Sequence, residues 1–155
     1  MNEKALAALL RQVQRGEISP QDAALQLKMA PFEDLGFAKI DRHRSLRQGA
    51  AEVIYGAGKT PEQIARIAAA LRDGGQETVL ITRMSQDAAE YVAAQLPLTY
   101  HAAGRVGVIG PVPTPDGLGT VVVATGGTSD IPVAEEAALT AEVLGSCVLR
   151  LYDVG

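Results

Sequence analysis

Residues Gly119 to Glu136 read GTVVVATGGTSDIPVAEE, and the fold is decided by how this stretch is read. Thr120-Val121-Val122-Val123-Ala124 is an apolar, β-branched run without alternation, the pattern of a strand covered on both faces of a parallel sheet. The run breaks at Thr125-Gly126-Gly127-Thr128-Ser129-Asp130. Apolar residues then recur at Ala134, Ala137, Ala138 and Ala141, with Pro132 in the first turn and Glu135, Glu136 and Glu142 elsewhere, so a helix follows. The unit is strand, glycine-rich turn, helix.

Ligands of open parallel sheets bind outside the carboxyl ends of the strands, where such a turn sits. The helix start offers unpaired amides and the positive end of the helix dipole, which favour a phosphate or carboxylate. Gly126 and Gly127 allow close approach of a ligand to the backbone. Thr128 and Ser129 add hydroxyl donors, whereas Asp130 repels phosphate and suits a ribose hydroxyl, an amine or a shared proton. The plainer alternative is that Ser129 or Asp130 only caps the helix.

The string Val123 to Ala137 and its strand-Gly-x-(Thr/Ser)-Ser-Asp-helix order resemble the substrate loop of the aminoimidazole ribonucleotide carboxylase (PurE-type) family. The resemblance is greater to its pyridinium-3,5-biscarboxylic acid mononucleotide synthase (LarB) branch, of nickel-pincer nucleotide biosynthesis. A second match in the right order is Phe32 to Lys59, with an aspartate, His43-Arg44, Arg47-Gln48-Gly49 and Glu52-Val53-Ile54-Tyr55-Gly56.

The resemblance implies an enzyme that carboxylates the pyridinium ring of nicotinic acid adenine dinucleotide with CO2. It also cleaves the pyrophosphate, giving pyridinium-3,5-dicarboxylate mononucleotide and AMP. By motif, Gly126, Gly127, Thr128 and Ser129 would line the phosphate or carboxylate, and Asp130 would contact ribose or move a proton as the catalytic residue. His43, Arg44, Arg47 and Lys59 are candidate anion contacts. CO2 is the expected co-substrate, with no tightly bound cofactor, no protein-held metal cluster, and Mg2+ as the ion considered. The family's catalytic cysteine is expected in a carboxyl-terminal part, so the 155-residue chain is expected to be inactive alone. Cys147 begins an apolar strand and is read as a buried, inert thiol. Two other readings stay open: a non-catalytic nucleotide- or anion-binding or assembly module, and an aminoimidazole ribonucleotide carboxylase or mutase. The last ranks lower because more than a hundred residues precede the Ser-Asp loop.

Outward from the motif, composition bounds the rest. With 47% apolar and 21% charged residues the chain has the make-up of a globular protein. A net charge of −4 argues against nucleic acid, the densest basic run being Arg42 to Arg47. One cysteine excludes an internal disulfide framework. No signal peptide or membrane span is legible, so the expectation is a cytoplasmic protein that binds a small nucleotide and forms a homo-oligomer.

The expected fold class is α/β: an N-terminal helical arm, a small α/β domain, then the truncated start of a flavodoxin-like or PurE-like parallel α/β domain. The arm (1–30) pairs a helix carrying Leu6, Leu9, Leu10 and Val13 with one capped by Ser19 and Pro20. The α/β domain (31–109) has an extended segment Phe32 to Asp41, then strands alternating with helices, which predicts a parallel sheet. Gly56-Ala57-Gly58-Lys59-Thr60 is not a Walker A loop, because Val53 stands where its first glycine belongs. Thr60-Pro61-Glu62-Gln63 predicts a capping box instead. His101 has no partner at metal-ligand spacing. A Pro/Gly linker (110–118) leads to the βαβ unit of 119–155. Two strands cannot cover their own sheet, so the expectation is an incomplete protein or a sheet completed by other copies.

Overall fold

The computed structural model describes residues 3–29, 32–41 and 50–155. Three of its helices begin at the capping residues Ser19, Thr60 and Ser85. Ser19 Oγ accepts from the Asp22 amide at 3.0 Å and Pro20 fills the first turn of α2 (Pro20–Met29), which pairs with α1 (Glu3–Gln14) through buried Leu9 and Ala23. The Phe32 to Asp41 segment is a hairpin: β1 (Phe32–Asp34) pairs antiparallel with β2 (Lys39–Asp41). Gly36, at φ +85°, makes the turn, its amide donating to Asp34 Oδ1 at 2.8 Å.

A four-stranded sheet follows, in the order β3 (Val53–Tyr55), β4 (Val79–Thr82), β6 (Val106–Ile109), β5 (Leu98–His101). β3 and β4 are parallel and are joined through α3 (Pro61–Asp73); α4 (Gln86–Ala93) lies between β4 and β5. The α/β class holds, but this sheet is mixed, not parallel: β6 runs antiparallel to both β4 and β5. The reason is the connection. Ala102 to Arg105 is too short for a crossover and permits only a hairpin.

The sheet is buried on both sides, which is why β4 shows no polar alternation. Val79 and Ile81 join Ile54, Ile64 and Val92 in the larger core under α3 and α4. Leu80, Val106 and Val108 face the other way and pack with Leu139, with Val143 at the edge of the cluster, both from α5 (Ile131–Val143).

α5 also crosses over between β7 (Thr120–Ala124) and β8 (Cys147–Leu151), which are parallel in register Thr120 to Cys147 through Ala124 to Leu151. Val123, Val148 and Arg150 are half-buried on one side of this pair. On the other, Val122 is 54% and Leu149 48% exposed, and Cys147 is exposed with them. The expectation of a strand covered on both faces and a buried cysteine is thus corrected: among the described residues nothing packs on that side.

Arg150 ties β8 to α5. Its guanidinium bonds both carboxylate oxygens of Glu142, Nη2 to Oε2 at 2.9 Å, and its Nε lies 3.3 Å from Glu135. The Arg150 hydrogen bond holds the Glu142 carboxyl below its ordinary 4.5 against the opposing effect of burial, with half-buried His101 adding a smaller pull. Burial, with Glu135 beside it, pushes the Tyr152 phenol up. A carboxyl depressed in the folded state stabilises the protein above its ordinary pKa, and that contribution is lost as pH falls through the folded value. Arg150→Met should therefore cost about 1–2 kcal/mol at pH 7 for this partly exposed pair. In urea unfolding, the gap to the unsubstituted chain should close as pH falls from about 5 towards 3; a gap constant over that range would contradict the assignment.

Candidate functional site

At the carboxyl end of β7 the chain is stitched to the end of β8. The Thr125 amide donates to the Leu151 carbonyl at 3.0 Å, the Val154 amide to the Thr125 carbonyl at 3.1 Å, and the Asp153 amide to Thr125 Oγ1 at 3.1 Å. Thr125 is 8% exposed, and its hydroxyl holds Asp153 at φ +57°, a left-handed conformation that Asp adopts more readily than most residues. Gly126 and Gly127 follow, then a single 3-10 turn (Thr128–Asp130) that runs straight into α5 at Ile131.

This end of the helix is open. Thr60 caps α3 in a full capping box and Ser85 caps α4, whereas neither the 3-10 turn nor α5 receives a side-chain cap among the described residues. The capping alternative for Ser129 and Asp130 therefore does not describe this corner; the Asp130 and Ile131 amides turn inward to the Gly127 and Thr128 carbonyls and Pro132 has none, so it is the amides of Gly127, Thr128 and Ser129 that are left to solvent or a ligand. Gly126 and Asp130 line a shallow cleft of about 370 Å³, whose floor and wall include Val123, Ala124, Val133 and Ala134; Gly127, Thr128 and Ser129 belong to the same turn but do not line it. The Asp130 carboxylate thus stands beside a largely apolar surface, with the hydroxyls of Thr128 and Ser129 on the adjoining turn.

Neither glycine is required by the fold. A Cβ at either position would meet nothing within 4 Å, and Gly127 has an ordinary extended φ of −143°. What the glycines preserve is empty space above the backbone.

The other candidate residues do not join this cleft. Lys59 lies in the β3–α3 turn with its Nζ donating to the Tyr55 carbonyl at 2.7 Å, and it is not among the cleft residues. His43, Arg44 and Arg47 lie outside the described residues. Cys147 starts β8, four residues and about 13 Å from the cleft end of that strand. A second cavity of about 290 Å³, walled by Val53, Leu71, Leu80 and Val143, sits at the other end of α5, on the order of 18 Å away along the helix. Among the described residues, no group of three or more His, Cys, Asp or Glu is placed to hold a metal ion, and no helix is long and apolar enough to cross a membrane. Sequence reasoning gave Thr125 no role and passed over Asp153; a threonine directly after an apolar strand carries no signal of a buried hydroxyl anchor.

Residues 32–111 match the model of the LarB/PurE-like N-terminal domain. The chain belongs to the LarB/PurE-like N-terminal domain family. Membership relates it to a carboxylase family. The match ends before the Gly126 to Asp130 turn, so the site geometry and the family assignment are independent observations. A curated relative, the uncharacterized protein MJ0165 of Methanocaldococcus jannaschii, is 30% identical over 159 residues, covering 98% of this chain. The chain spans 62% of that relative's length.

If the glycines serve a ligand and not the fold, Gly127→Ala should change unfolding free energy by less than about 0.5 kcal/mol. Thr125→Val, which strips the Asp153 amide of its acceptor, should cost about 1–3 kcal/mol. Urea unfolding of both variants checks the contrast, and a Gly127→Ala loss as large as that of Thr125→Val would refute it.

Proposed function

We propose that this chain supplies the nucleotide-binding corner of a carboxylase/hydrolase acting on nicotinic acid adenine dinucleotide. The observation that carries the reading is the uncapped Gly126 to Asp130 turn, opening on an apolar-walled cleft at the carboxyl ends of two parallel strands. In the overall reaction the C5–H bond of the pyridinium ring is replaced by a bond to the carbon of CO2, and that proton leaves. Water adds across the pyrophosphate to release AMP.

The groups of this chain fit the binding part of that chemistry. The amides of Gly127 to Ser129 and the hydroxyls of Thr128 and Ser129 hold a phosphate or ring carboxylate by charge-assisted hydrogen bonds. The methyl groups of Val133 and Ala134 lie where a ring face can rest. Asp130, exposed at the end of the 3-10 turn, accepts from a ribose hydroxyl or takes the departing proton. Cys147 is too far along β8 to attack a ring held in this cleft, so bond-making is assigned to groups outside the site described here.

Titration of the 15N-labelled chain with nicotinic acid mononucleotide, AMP and aminoimidazole ribonucleotide in turn tests the reading. The amides of residues 126–130 should shift most with the pyridine nucleotide, and Asp130→Asn should weaken that binding about tenfold, the loss of one charge-assisted hydrogen bond. Preference for aminoimidazole ribonucleotide would favour the carboxylase or mutase alternative, and an unmoved turn with all three would sink the site. The chain by itself should release no AMP from nicotinic acid adenine dinucleotide.

A further inference from the structure

We propose that Arg83 and Gly104 form a clamp through which the four-stranded domain sets the orientation of α5, and so of the Gly126 to Asp130 turn that α5 carries. Arg83 follows directly on β4, and its Nε lies 2.6 Å from Glu136 Oε2, in the second turn of α5. Glu136 is 20% exposed and Arg83 45%, so the pair sits at the margin of the contact, where it selects geometry more than it adds stability. Arg83 reaches that position from a left-handed backbone at φ +53°. Nothing about an arginine favours that conformation, and such strain persists only where surrounding structure holds it.

The surroundings do hold it. The Met84 amide donates to the Arg105 carbonyl at 2.8 Å, and Arg105 is itself at φ +53°, so the two strained residues are locked across the ends of neighbouring strands. Between Arg105 and β5 stands Gly104, where a Cβ would come within 2.9 Å of the Glu136 amide nitrogen and 3.0 Å of the Glu135 carbonyl carbon. The backbone of the β5–β6 turn therefore touches the backbone of α5, and only glycine permits it. The remaining contact, Leu139 against Leu80, Val106 and Val108, fixes the distance of α5 from the sheet. Apolar contact of that kind is non-directional and leaves rotation of the helix about its axis weakly specified. The ion pair and the close approach, both within two turns of the open end, supply the missing angle.

Arg83 is accordingly a positioning residue: it touches no ligand and acts through Glu136. The functional half of the proposal rests on the nucleotide-site reading, but its structural half does not, and the two are separable. The test compares Arg83→Met, Arg83→Lys and the exchanged pair Arg83→Glu with Glu136→Arg, and adds Gly104→Ala as a second route to the same displacement. Two quantities are read: amide hydrogen exchange across 131–137 and affinity for nicotinic acid mononucleotide. Arg83→Met and Gly104→Ala should speed exchange in 131–137 at least fivefold while leaving 64–71 of α3 unchanged, and should weaken nucleotide binding about fivefold or more. Arg83→Lys or the exchanged pair should recover at least half of both. Exchange in 131–137 that stays at the unsubstituted rate, or exchange that rises equally in α3, overturns the clamp. Absence of nucleotide binding by the unsubstituted chain defeats the site reading and leaves the exchange result to judge the clamp alone.

Discussion

One helix must satisfy two sheets, and the structure depends on that constraint. α5 has its Glu136, Leu139, Val143 stripe against the four-stranded sheet and its Glu135, Ala138, Glu142 stripe towards β8. Both stripes follow the i, i+3, i+7 spacing of a single helix face, and they lie side by side, about 100° apart around the axis. An ordinary surface helix has one such face and a polar back. α5 lacks the polar back, and its charged residues are placed where an arginine of one sheet or the other meets them. Removing either arginine would leave the corresponding carboxylates half-buried beside apolar side chains, a worse outcome than never having placed them there.

That double engagement explains how the start of the helix can stay uncapped. A missing N-cap costs on the order of 1 kcal/mol, and in a marginal helix it would promote fraying of the first turn. Here the first turns are held from outside, by Glu136 to Arg83, by Glu135 to Arg150, and by Thr125 stitching the approach to the turn onto β8. The amides of Gly127 to Ser129 are therefore presented from a held turn without internal partners among the described residues, which is the condition for pre-organised recognition of an anion.

Much of this was legible in the residues. Ser19, Thr60 and Ser85 mark helix starts because a capping side chain is a local signal, and the local geometry obeys it. The strand, glycine turn and helix of 119–143 follow from the change of apolar period at Thr125. Hidden features were those set by partners distant in sequence. The β5–β6 hairpin carries its signal in a four-residue connection containing Gly104, but Leu98 to His101 is too short and too polar to read as a strand alone. The apolar run of β7 reads as doubly covered because sequence reports what a strand is suited to, not what lies against it. Arg83 gave no warning at all, since neither its left-handed backbone nor its partner fifty-three residues on has a local signature.

The four-stranded domain has a strand-to-helix turn of its own, and its hydrogen bonding differs from that of the Gly126 to Asp130 turn. After β3, the Gly56 amide donates to the Thr82 carbonyl at 2.7 Å, and a Cβ at Gly56 would lie 2.9 Å from that same oxygen. Lys59 folds back on the Tyr55 carbonyl, while Thr60 and Gln63 exchange bonds with each other's backbone. Every feature that makes a strand-to-helix turn attractive to an anion, the close-approach glycine, the cation and the free amides, is consumed there by the fold itself. The Gly126 to Asp130 turn carries no cation, but its glycines face empty space and the amides of Gly127 to Ser129 have neither a side-chain cap nor a backbone acceptor among the described residues. Two similar turns therefore differ in what the fold uses: the first is internally satisfied, whereas the second keeps the amides of Gly127 to Ser129 without a partner among the described residues, which is what makes the open end of α5 the candidate for recognition.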